Sequence, residues 1–410
     1  MAPLPRIIIL NDRSLARGGA TGLAILAAQL LIKRGREVMF IAGDMGDSPA
    51  LADAGVTCVA LGQTALSTAQ GSVRQLAQMR RGLWNRAGAR FLTDWIAHNG
   101  RADDIWHLHN WAQIWSPSVF AALEPVKHRL LIHAHDYFNA CPNGAFWNFP
   151  AQQVCKLVPL SMACLQSNCD KRSYAQKLWR AARQSRMGAI FRQPDAPRLL
   201  IIHPGMRDAF LRSGFQEGRI EVLRNPVQPF LAKPIDASRN QGLLFVGRLE
   251  REKGALLLAR AAARANVQVT FVGDGADAAA IRDTCPQAVL TGWQDRTGIA
   301  RYATRARALV MPSVISEPFG LVAVEALGSG LPVVTSHTAL LAPEITAAGA
   351  GWAVDVRDPE GFARLLATLS DDRTDIAAMS LNAARIVPEL GLTPQAWCDG
   401  LEAVYAALRV

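Results

Sequence analysis

Glu317 and Glu325 are the residues whose spacing most clearly suggests chemistry, because they flank the segment E-P-F-G-L-V-A-V-E. Pro318 and Gly320 disfavour a helix, so Glu317 is predicted to lie in a loop. From Leu321 onward the apolar residues follow helical spacing. The segment therefore predicts one carboxylate in a loop and a second just over one turn inside the helix that follows.

This arrangement suits a ligand that carries a sugar, a diphosphate and a nucleoside. The backbone amides of Phe319, Gly320 and Leu321 would lie at the helix N-terminus, where unpaired N–H groups and a partial positive charge favour phosphate. Glu325 could accept hydrogen bonds from a diol such as ribose, while Glu317 would meet the sugar. On this segment alone, two glutamates with no shared role are the alternative.

A glycine and two basic residues follow the predicted strand 242–246, at Gly247, Arg248 and Lys253. Arginine binds phosphate oxygens through two parallel hydrogen bonds, and lysine acts as a point charge. Together they could neutralise a departing diphosphate, a task that a metal ion performs in other enzymes. A solvated turn of mixed charge is the alternative.

Gly18 and Gly19 follow the first predicted strand, 6–10, and open a predicted helix. Glycines at a helix N-terminus allow the backbone to approach a phosphate closely. The pattern is not a dinucleotide-binding fingerprint, because a third spaced glycine and an acidic residue about 20 positions further on are not convincingly placed. A loop without a ligand is the alternative.

Strand and helix patterns alternate along the chain, which is typical of parallel sheets covered on both faces. Two such series predict an α/β protein of two doubly wound, Rossmann-like domains, with ligands at the carboxyl ends of the strands. We place the first domain at 1–197 and the second at 198–390, with a linker near 225–241 and a C-terminal helix at 391–410 that packs back toward the first domain. The predicted strands are 6–10, 37–42, 56–60, 104–108, 129–133, 198–202, 220–223, 242–246, 267–272, 288–290, 308–311 and 332–335.

In their order along the chain, these segments resemble the retaining glycosyltransferases of family 4 (glycosyl transferases group 1), which have the GT-B fold. The resemblance covers almost the whole chain, and the E-x7-E segment is its most specific motif. It implies two Rossmann-like domains that face each other across a cleft. The segments that carry it are the early Gly-Gly loop, His135-Asp136, V-L-R-N-P-V at 222–227, F-V-G-D-G at 271–275, and Glu317 with Glu325.

The resemblance also implies a role for each site residue. Arg248 and Lys253 would hold the nucleotide diphosphate, Glu317 would bind sugar hydroxyls, and Glu325 would bind the ribose. His135 would face the sugar near its reacting carbon, with Gly19 close to the phosphates. The other implied donor-site residues are Gly18, Asn225, Gly247, Gly273, Phe319, Gly320 and Leu321, and the acceptor-side residues are His109, Asn110 and Asp136.

The implied reaction is transfer of a hexosyl unit from a UDP- or GDP-linked sugar to a saccharide or lipid-linked acceptor, with retention at the anomeric carbon. Such a transfer would serve cell-surface polysaccharide or glycolipid synthesis. The chain has no evident glycosidase-type nucleophile and no Asp-x-Asp motif in a plausible loop, so we expect no metal and no other cofactor to be required. The alternatives are an NDP-sugar epimerase or phosphorylase, a non-catalytic sugar-nucleotide-binding protein, and an NAD-dependent oxidoreductase, which the incomplete glycine pattern disfavours.

Four of the seven cysteines lie close together in the sequence, within an insert at 137–172 that has little periodicity. They are Cys141, Cys155, Cys164 and Cys169, and no Cys-x2-Cys pair occurs among them. A structural zinc ion would order such an insert, but the spacing matches the zinc signatures poorly, and packed free thiols are the favoured interpretation. The insert follows His135 directly and is expected to border the acceptor.

The net charge of +10 is carried entirely by residues 1–197, which hold 22 Lys and Arg against 12 Asp and Glu, while 198–410 hold 22 of each. That asymmetry predicts an anionic partner for the first half, and without a nucleic-acid-binding signature we favour a polyprenyl-linked acceptor or an anionic membrane surface over nucleic acid. Two basic, aromatic-containing helical segments, 72–98 and 171–192, could lie on a membrane, and core-facing apolar surfaces are the alternative.

Two further expectations concern location and the first half of the chain. No run approaches the roughly 18 apolar residues of a membrane span, and the N-terminal residues lack the order of a signal peptide, so we expect a cytoplasmic protein that could dock peripherally on the inner face of the membrane. His107-Leu-His109-Asn110 ends a strand in the basic half, and it could contact the acceptor or be a buried, hydrogen-bonded pair of histidines.

Overall fold

The computed structural model describes residues 4–16, 19–66, 73–370 and 375–408. The chain forms two compact units, of which the first comprises Met1–Leu223 with Trp397–Val410 and the second comprises Arg224–Ala396. Each unit is built around one parallel sheet flanked by helices. Within the described residues, none of the helices is both long and apolar enough to cross a membrane.

The first unit contains a parallel sheet of seven strands in the order β3-β2-β1-β4-β5-β8-β9, and a separate antiparallel hairpin of β6 and β7. All five residues of β1, Ile-Ile-Ile-Leu-Asn, are buried, as expected for a central strand covered on both faces. The strands are β1 Ile7–Asn11, β2 Val38–Ala42, β3 Thr57–Ala60, β4 Ile105–Leu108, β5 Leu130–Ala134, β6 Trp147–Asn148, β7 Gln153–Val154, β8 Arg198–Ile201 and β9 Ile220–Val222.

Side-chain caps mark the start of α4, α6 and α7 in the first unit. Ser173, for example, accepts a hydrogen bond from the amide of Gln176 and so caps α7. The helices are α1 Gly19–Lys33, α2 Pro49–Ala52, α3 Val73–Leu83, α4 Arg86–Asn99, α5 Ser118–Ala122, α6 Met162–Gln166, α7 Tyr174–Phe191 and α8 Arg207–Arg212, with 3-10 turns at Glu124–Arg129, Pro204–Met206 and Glu217–Arg219.

The second unit contains a parallel sheet of six strands in the order β12-β11-β10-β13-β14-β15. Its strands are β10 Gly242–Val246, β11 Val269–Val272, β12 Val289–Leu290, β13 Ala306–Met311, β14 Val333–Ser336 and β15 Gly351–Val354. Its helices are α9 Ala255–Ala265, α10 Ala278–Thr284, α11 Arg296–Ala303, α12 Leu321–Gly328, α13 Ala342–Ala347, α14 Pro359–Leu369 and α15 Ile376–Leu390, with 3-10 turns at Ala237–Arg239 and Arg251–Lys253.

The final helix, α16, runs over Pro394–Ala407, and from Trp397 onward it belongs to the first unit. Trp397, Leu401 and Tyr405 are spaced four residues apart and are all buried. The apolar stripe at helical spacing thus explains why the end of the chain packs on the sheet of the first unit.

The predicted domain boundary after residue 197 is wrong. β8 pairs with β5, and β9 pairs with β8, so both strands complete the first sheet and the boundary falls between Leu223 and Arg224. An apolar strand pattern shows that a segment is buried but not which sheet it joins. β15, Gly351–Val354, is a strand that the pattern of alternating segments did not predict.

Three basic residues of α7 lie in or against the interior of the first unit, whereas Arg186 is exposed. Lys177 and Arg183 are buried, and Arg180 pairs with Asp170 at 3.2 Å. Arg183 donates a hydrogen bond to the carbonyl oxygen of Ala112 at 2.6 Å and lies over the ring of Trp111. The interpretation of 171–192 as a membrane-facing basic helix is therefore wrong for these side chains, because burial and pairing use their charge.

Candidate functional site

The connection from β10 to α9 positions Lys253. A 3-10 turn, Arg251–Lys253, is followed by Gly254, which has φ 70° and precedes the first residue of α9. A Cβ atom on Gly254 would lie 2.0 Å from the carbonyl oxygen of Pro312, so this tight approach to the end of β13 requires glycine. The side chain of Lys253 is thereby brought to the carboxyl ends of β10 and β13.

Lys253 and Glu317 form a close ion pair at this edge of the sheet. The Lys253 Nζ lies 2.7 Å from the Glu317 Oε2, and Ser313 Oγ donates to the same oxygen at 3.1 Å. Burial would raise the pKa of Glu317, but the Lys253 ammonium and these hydrogen bonds outweigh it and hold the pKa below its ordinary value. Glu317 is therefore an ionised acceptor in a site that is only 17% exposed at its side chain.

Arg248 differs from Lys253 because it is largely exposed. Its side chain is 65% exposed, and Nη1 pairs with the Oε1 of Glu250 in the same loop at 2.7 Å. An exposed ion pair of this kind is weak, so a phosphate can compete for the guanidinium. Arg248 also contributes to the lowered pKa of Glu317.

The start of α12 follows Glu317 as predicted from Pro318 and Gly320. Gly320 has φ 69° and precedes Leu321, the first helical residue, while Phe319 is buried and anchors the loop. The first amides of α12 therefore lie beside the Lys253–Glu317 pair, where a helix N-terminus favours an anion.

Glu325 is held by Arg296, a residue that the sequence patterns do not single out. Arg296 Nη1 lies 3.0 Å from the Glu325 Oε1, and Nη2 donates to the carbonyl oxygen of Pro229 at 2.9 Å. Burial raises the pKa of Glu325, and the hydrogen bond from Arg296 opposes that rise without cancelling it. Arg296 follows the cap Asp295 at the start of α11, and no sequence motif identifies an arginine at that position as a site residue.

Gly273 and Asn225, two other predicted donor-site residues of the second unit, make contacts with the protein backbone. Gly273 donates its N–H to the carbonyl oxygen of Gly292 at 2.9 Å, and a Cβ atom on it would lie 1.9 Å from the carbonyl oxygen of Gly247. Glycine is thus required where the loops after β10 and β11 meet. Asn225 is buried, and its carbonyl oxygen accepts from the amide of Leu392 at 3.1 Å.

In the first unit, Gly19 begins α1 directly after the loop that follows β1, whereas Gly18 lies outside the described residues. Asp12, also in that loop, accepts hydrogen bonds from the amides of Gln113, Ile114 and Trp115 at 2.7, 2.8 and 3.1 Å. The buried Asp12 thus fixes the loop after β4 to the end of β1. Its residue type alone, a single aspartate after a strand, did not identify that role.

Four histidines gather at the carboxyl ends of β4 and β5. His107 pairs in register with Leu131 and Leu108 with Ile132, which places the next residue, His109, beside His133. His107 Nε2 lies 3.2 Å from His133 Nδ1, and His109 Nδ1 lies 2.9 Å from His135 Nε2. The hydroxyl of Tyr405 in α16 lies 2.8 Å from His107 Nδ1. The alternative of buried, hydrogen-bonded histidines therefore describes His107 and His109.

The four imidazoles are neutral at ordinary pH. Burial lowers the pKa of His107 and of His135 to about 3, and it lowers the pKa of His109 and His133 well below the ordinary value, with mutual repulsion adding to the effect. Beside them, burial raises the pKa of Asp136 to about 6, although the amide of Phe138 donates to its Oδ1 at 2.9 Å.

Comparison with known proteins identifies part of the chain. Residues 240–372 match the profile of the family described as glycosyl transferases group 1.

Residues 240–372 form a group 1 glycosyl transferase domain.

Curated relatives extend the likeness beyond the matched residues. A D-inositol 3-phosphate glycosyltransferase of Catenulispora acidiphila is 27% identical over 241 residues, which are 52% of this chain and 51% of the relative. A glycogen synthase of Mycobacterium tuberculosis is 28% identical over 263 residues, which are 59% of this chain and 60% of the relative. The chain thus spans about half of the length of the curated relatives it matches.

Solved structures match the fold over the whole chain. A sucrose-phosphate synthase from Thermosynechococcus elongatus aligns with a TM-score of 0.68 and 17% identity, covering 98% of this chain and 99% of that chain. The Anabaena protein HepE, crystallised with UDP, aligns with a TM-score of 0.67 and 17% identity, covering 98% and 100%. These matches confirm the predicted GT-B fold class, with its two parallel α/β sheets.

The cysteine-rich insert, 137–172, contains free thiols. Lys177 is buried, and its Nζ lies 3.3 Å from the sulfur of Cys164 and 3.2 Å from that of Cys169. Cys141 contacts Asn143 instead, at 3.2 Å. Within the described part of the chain, no three cysteines approach closely enough to share one metal ion, so structural zinc at Cys141, Cys155, Cys164 and Cys169 stays a prediction that this geometry does not favour.

Proposed function

We propose that this protein is a retaining glycosyltransferase of family 4 that moves a hexosyl unit from a UDP- or GDP-sugar to a saccharide or lipid-linked acceptor. The observation that carries the proposal is the Lys253–Glu317 pair at 2.7 Å beside the N-terminus of α12, with Arg248 in the same loop system. The printed names of the relatives, a glycosyltransferase and a glycogen synthase, support it, as does the binding of UDP-glucose by Anabaena HepE.

Each donor-binding role follows from the charge of the side chain. Lys253 and Arg248 bind the diphosphate, since Lys253 carries a fixed positive charge and Arg248 can exchange its exposed partner Glu250 for phosphate oxygens. Glu317 is ionised and accepts hydrogen bonds from the sugar hydroxyls. Glu325, steadied by Arg296, binds the ribose diol.

The proposed chemistry needs no metal ion. The bond between the anomeric carbon and the diphosphate oxygen breaks, and the diphosphate keeps the electron pair. The acceptor hydroxyl forms the new glycosidic bond on the same face of the sugar, and its proton passes to the departing phosphate. Positive charge from Lys253 and Arg248 stabilises the developing negative charge, which is the stage at which electrostatic stabilisation contributes most.

The first unit supplies the acceptor side in this proposal. His109, Asn110 and Asp136 follow β4 and β5, and Asn110 is held by a hydrogen bond from its amide to Asn11 Oδ1 at 3.0 Å. His135 remains proposed as the residue nearest the reacting carbon. Peripheral docking on an anionic membrane is proposed for the region around α3, where Leu76 and Trp84 are 54% and 38% exposed.

The test measures both binding and transfer. Thermal-shift screening of UDP-, GDP- and ADP-sugars should identify one donor that raises the melting temperature, because a ligand stabilises the state it binds. With that donor, Lys253→Met and Glu317→Gln proteins should transfer sugar at least about 100-fold more slowly than wild type. That the variants fold is verified by circular dichroism and by a cooperative melting transition in the absence of ligand.

The matched control is Arg264→Gln, which removes the exposed ion pair between Arg264 and Glu360 on the same unit and should leave transfer unchanged. Near-normal turnover of both site variants would contradict the proposal. Conversion of the donor sugar in the absence of any acceptor would favour an epimerase instead. Flotation with anionic liposomes at low salt tests the membrane proposal separately, and absence of binding would end it.

A further inference from the structure

The histidines of β4 and β5 leave buried ring nitrogens without partners. Among the described residues, His109 Nε2, His133 Nε2 and His135 Nδ1 have no hydrogen-bond partner, although each atom is shielded from solvent. Most buried polar atoms in proteins are paired, and an exception calls for a bound water, an ion or a functional reason. Three exceptions within one cluster indicate that a component is missing from it.

The histidines cannot satisfy the hydrogen-bonding capacity of all their ring nitrogens among themselves. A neutral imidazole has one N–H donor and one acceptor nitrogen. In the bond between His109 Nδ1 and His135 Nε2, one ring donates and the other accepts. Whichever way it runs, the outer nitrogen of one ring is then an unpaired acceptor and that of the other an unpaired donor. No choice of tautomers removes the buried lone pair.

The nitrogens converge as metal ligands do. One ring nitrogen from each of His107, His109 and His133 lies within 4.8 Å of the other two. Tetrahedral zinc with Zn–N distances of 2.0–2.1 Å needs nitrogens about 3.4 Å apart. The 3.2 Å between His107 Nε2 and His133 Nδ1 is already close to that value. The nitrogen of His109 lies within 4.8 Å of the other two and would have to move closer for a metal ion to replace the shared proton.

The surroundings orient and complete such a site. Tyr405 engages His107 Nδ1 and so directs Nε2 toward the cluster, as the outer partners of metal-bound histidines do. A cavity of about 20 Å³ borders His109, His133 and His135. That volume holds about one water molecule, which could fill the fourth position.

We propose that His107, His109 and His133 form a binding site for one divalent transition-metal ion of the zinc type. Imidazole is a ligand that zinc, copper and nickel favour, whereas magnesium and calcium prefer oxygen. The bound ion would join β4 to β5 and, through Tyr405, to α16. The transferase reaction proposed above needs no metal, so the ion takes no part in that chemistry, although it would bind His109 on the proposed acceptor side.

The experiment uses untagged, full-length protein that has been treated with a chelator and then dialysed against ZnCl₂. Elemental analysis should find about one zinc ion per chain in the wild type, and at least ten-fold less in the His107→Phe and His133→Gln proteins. The control variant is His128→Gln, which alters a histidine in the 3-10 turn Glu124–Arg129 and should bind zinc like the wild type.

The cysteines are the competing site, and two measurements separate them from the histidines. Zinc that is lost in the Cys164→Ser, Cys169→Ser double variant but kept in the histidine variants would overturn the proposal. X-ray absorption on the wild type needs no variant to fold: nitrogen neighbours at about 2.0–2.1 Å support the histidine site, and sulfur neighbours at about 2.3 Å contradict it. A wild-type protein that binds no zinc contradicts it as well.

Discussion

The Lys253–Glu317 region of the second unit and the histidine cluster of the first occupy equivalent places, at the carboxyl ends of neighbouring parallel strands. The two regions differ in whether their buried titratable groups keep their charge. Glu317 stays charged because an ammonium lies 2.7 Å away. Burial removes the charge of the imidazoles, whose hydrogen-bond partners among the described residues are one another and Tyr405. Pairing with an opposite charge preserves ionisation under burial, and burial among like groups removes it.

The two regions also differ in what holds them. The site of the second unit stands on loops that glycine shapes, as at Gly254 and Gly320, and it keeps part of its charge exposed. The histidines stand on strands and are fixed by the register of β4 with β5. The first arrangement suits a charged ligand that arrives from solvent, and the second suits a small ion that becomes enclosed.

The largest expected effect tests the dependence on loop geometry. Gly254→Ala forces a side chain into a backbone with φ 70° and against the carbonyl oxygen of Pro312. We expect the free energy of unfolding to fall by roughly 2 kcal/mol or more, and transfer to fall with it because Lys253 is displaced. Urea denaturation followed by circular dichroism measures the change.

The control for this prediction is Gly242→Ala, at the start of β10 in the same unit, where an added Cβ meets nothing within 4 Å. It should change the free energy of unfolding by less than about 1 kcal/mol. Equal behaviour of the two variants would contradict the comparison, because glycine would then have no special part in shaping the loop that positions Lys253.

A smaller effect is expected from Tyr405→Phe, which tests whether the histidines depend on an enclosed hydrogen bond. Removing the hydroxyl leaves His107 Nδ1 buried without its partner and should lower the free energy of unfolding by about 1–3 kcal/mol. Tyr174→Phe, which removes an exposed hydrogen bond to the carbonyl oxygen of Leu165, should cost clearly less under the same urea titration. A larger decrease in the free energy of unfolding for Tyr174→Phe than for Tyr405→Phe would contradict this prediction.

The smallest effect concerns pH and separates the two glutamates. Because the pKa of Glu317 is lower in the folded protein than its ordinary value of 4.5, the unfolded chain binds more protons as the pH falls through 4.5. The stability that Glu317 contributes is therefore present above that pH and lost below it as the folded pKa is approached. Glu317→Gln should flatten this acid-side decline in melting temperature.

Glu325 should behave in the opposite sense, because its pKa is raised above the ordinary value of 4.5 in the folded protein. The folded state then binds more protons than the unfolded chain, so this carboxylate lowers stability as the pH rises through that range. Glu325→Gln should therefore reduce the decrease in melting temperature that occurs as the pH rises from 4.5 toward neutrality. Glu360→Gln, which removes an exposed carboxylate on the same unit, is the control variant for both measurements.

Much of the Lys253–Glu317 region could be predicted because its sequence signals are local. Pro318 and Gly320 mark a loop, Leu321 begins the helix, and the basic residues after β10 sit within a few positions of a glycine. Arg296 could not be predicted, because it reaches Glu325 from another helix across a separation of 29 residues. The domain boundary after Leu223 could not be predicted either. Which strands pair depends on the assembled sheet and is not recorded in a local sequence pattern.

By itself, the sequence determined the alternation of strands and helices, the doubly wound fold class and the loop that presents Glu317, because periodicity and backbone preference act over a few residues. Only the tertiary structure decided that β8 and β9 join the first sheet, that Lys177 lies between two thiols, and that His107, His109 and His133 converge under Tyr405. Those outcomes depend on register and on contacts between residues as far as 298 positions apart, which no local pattern records.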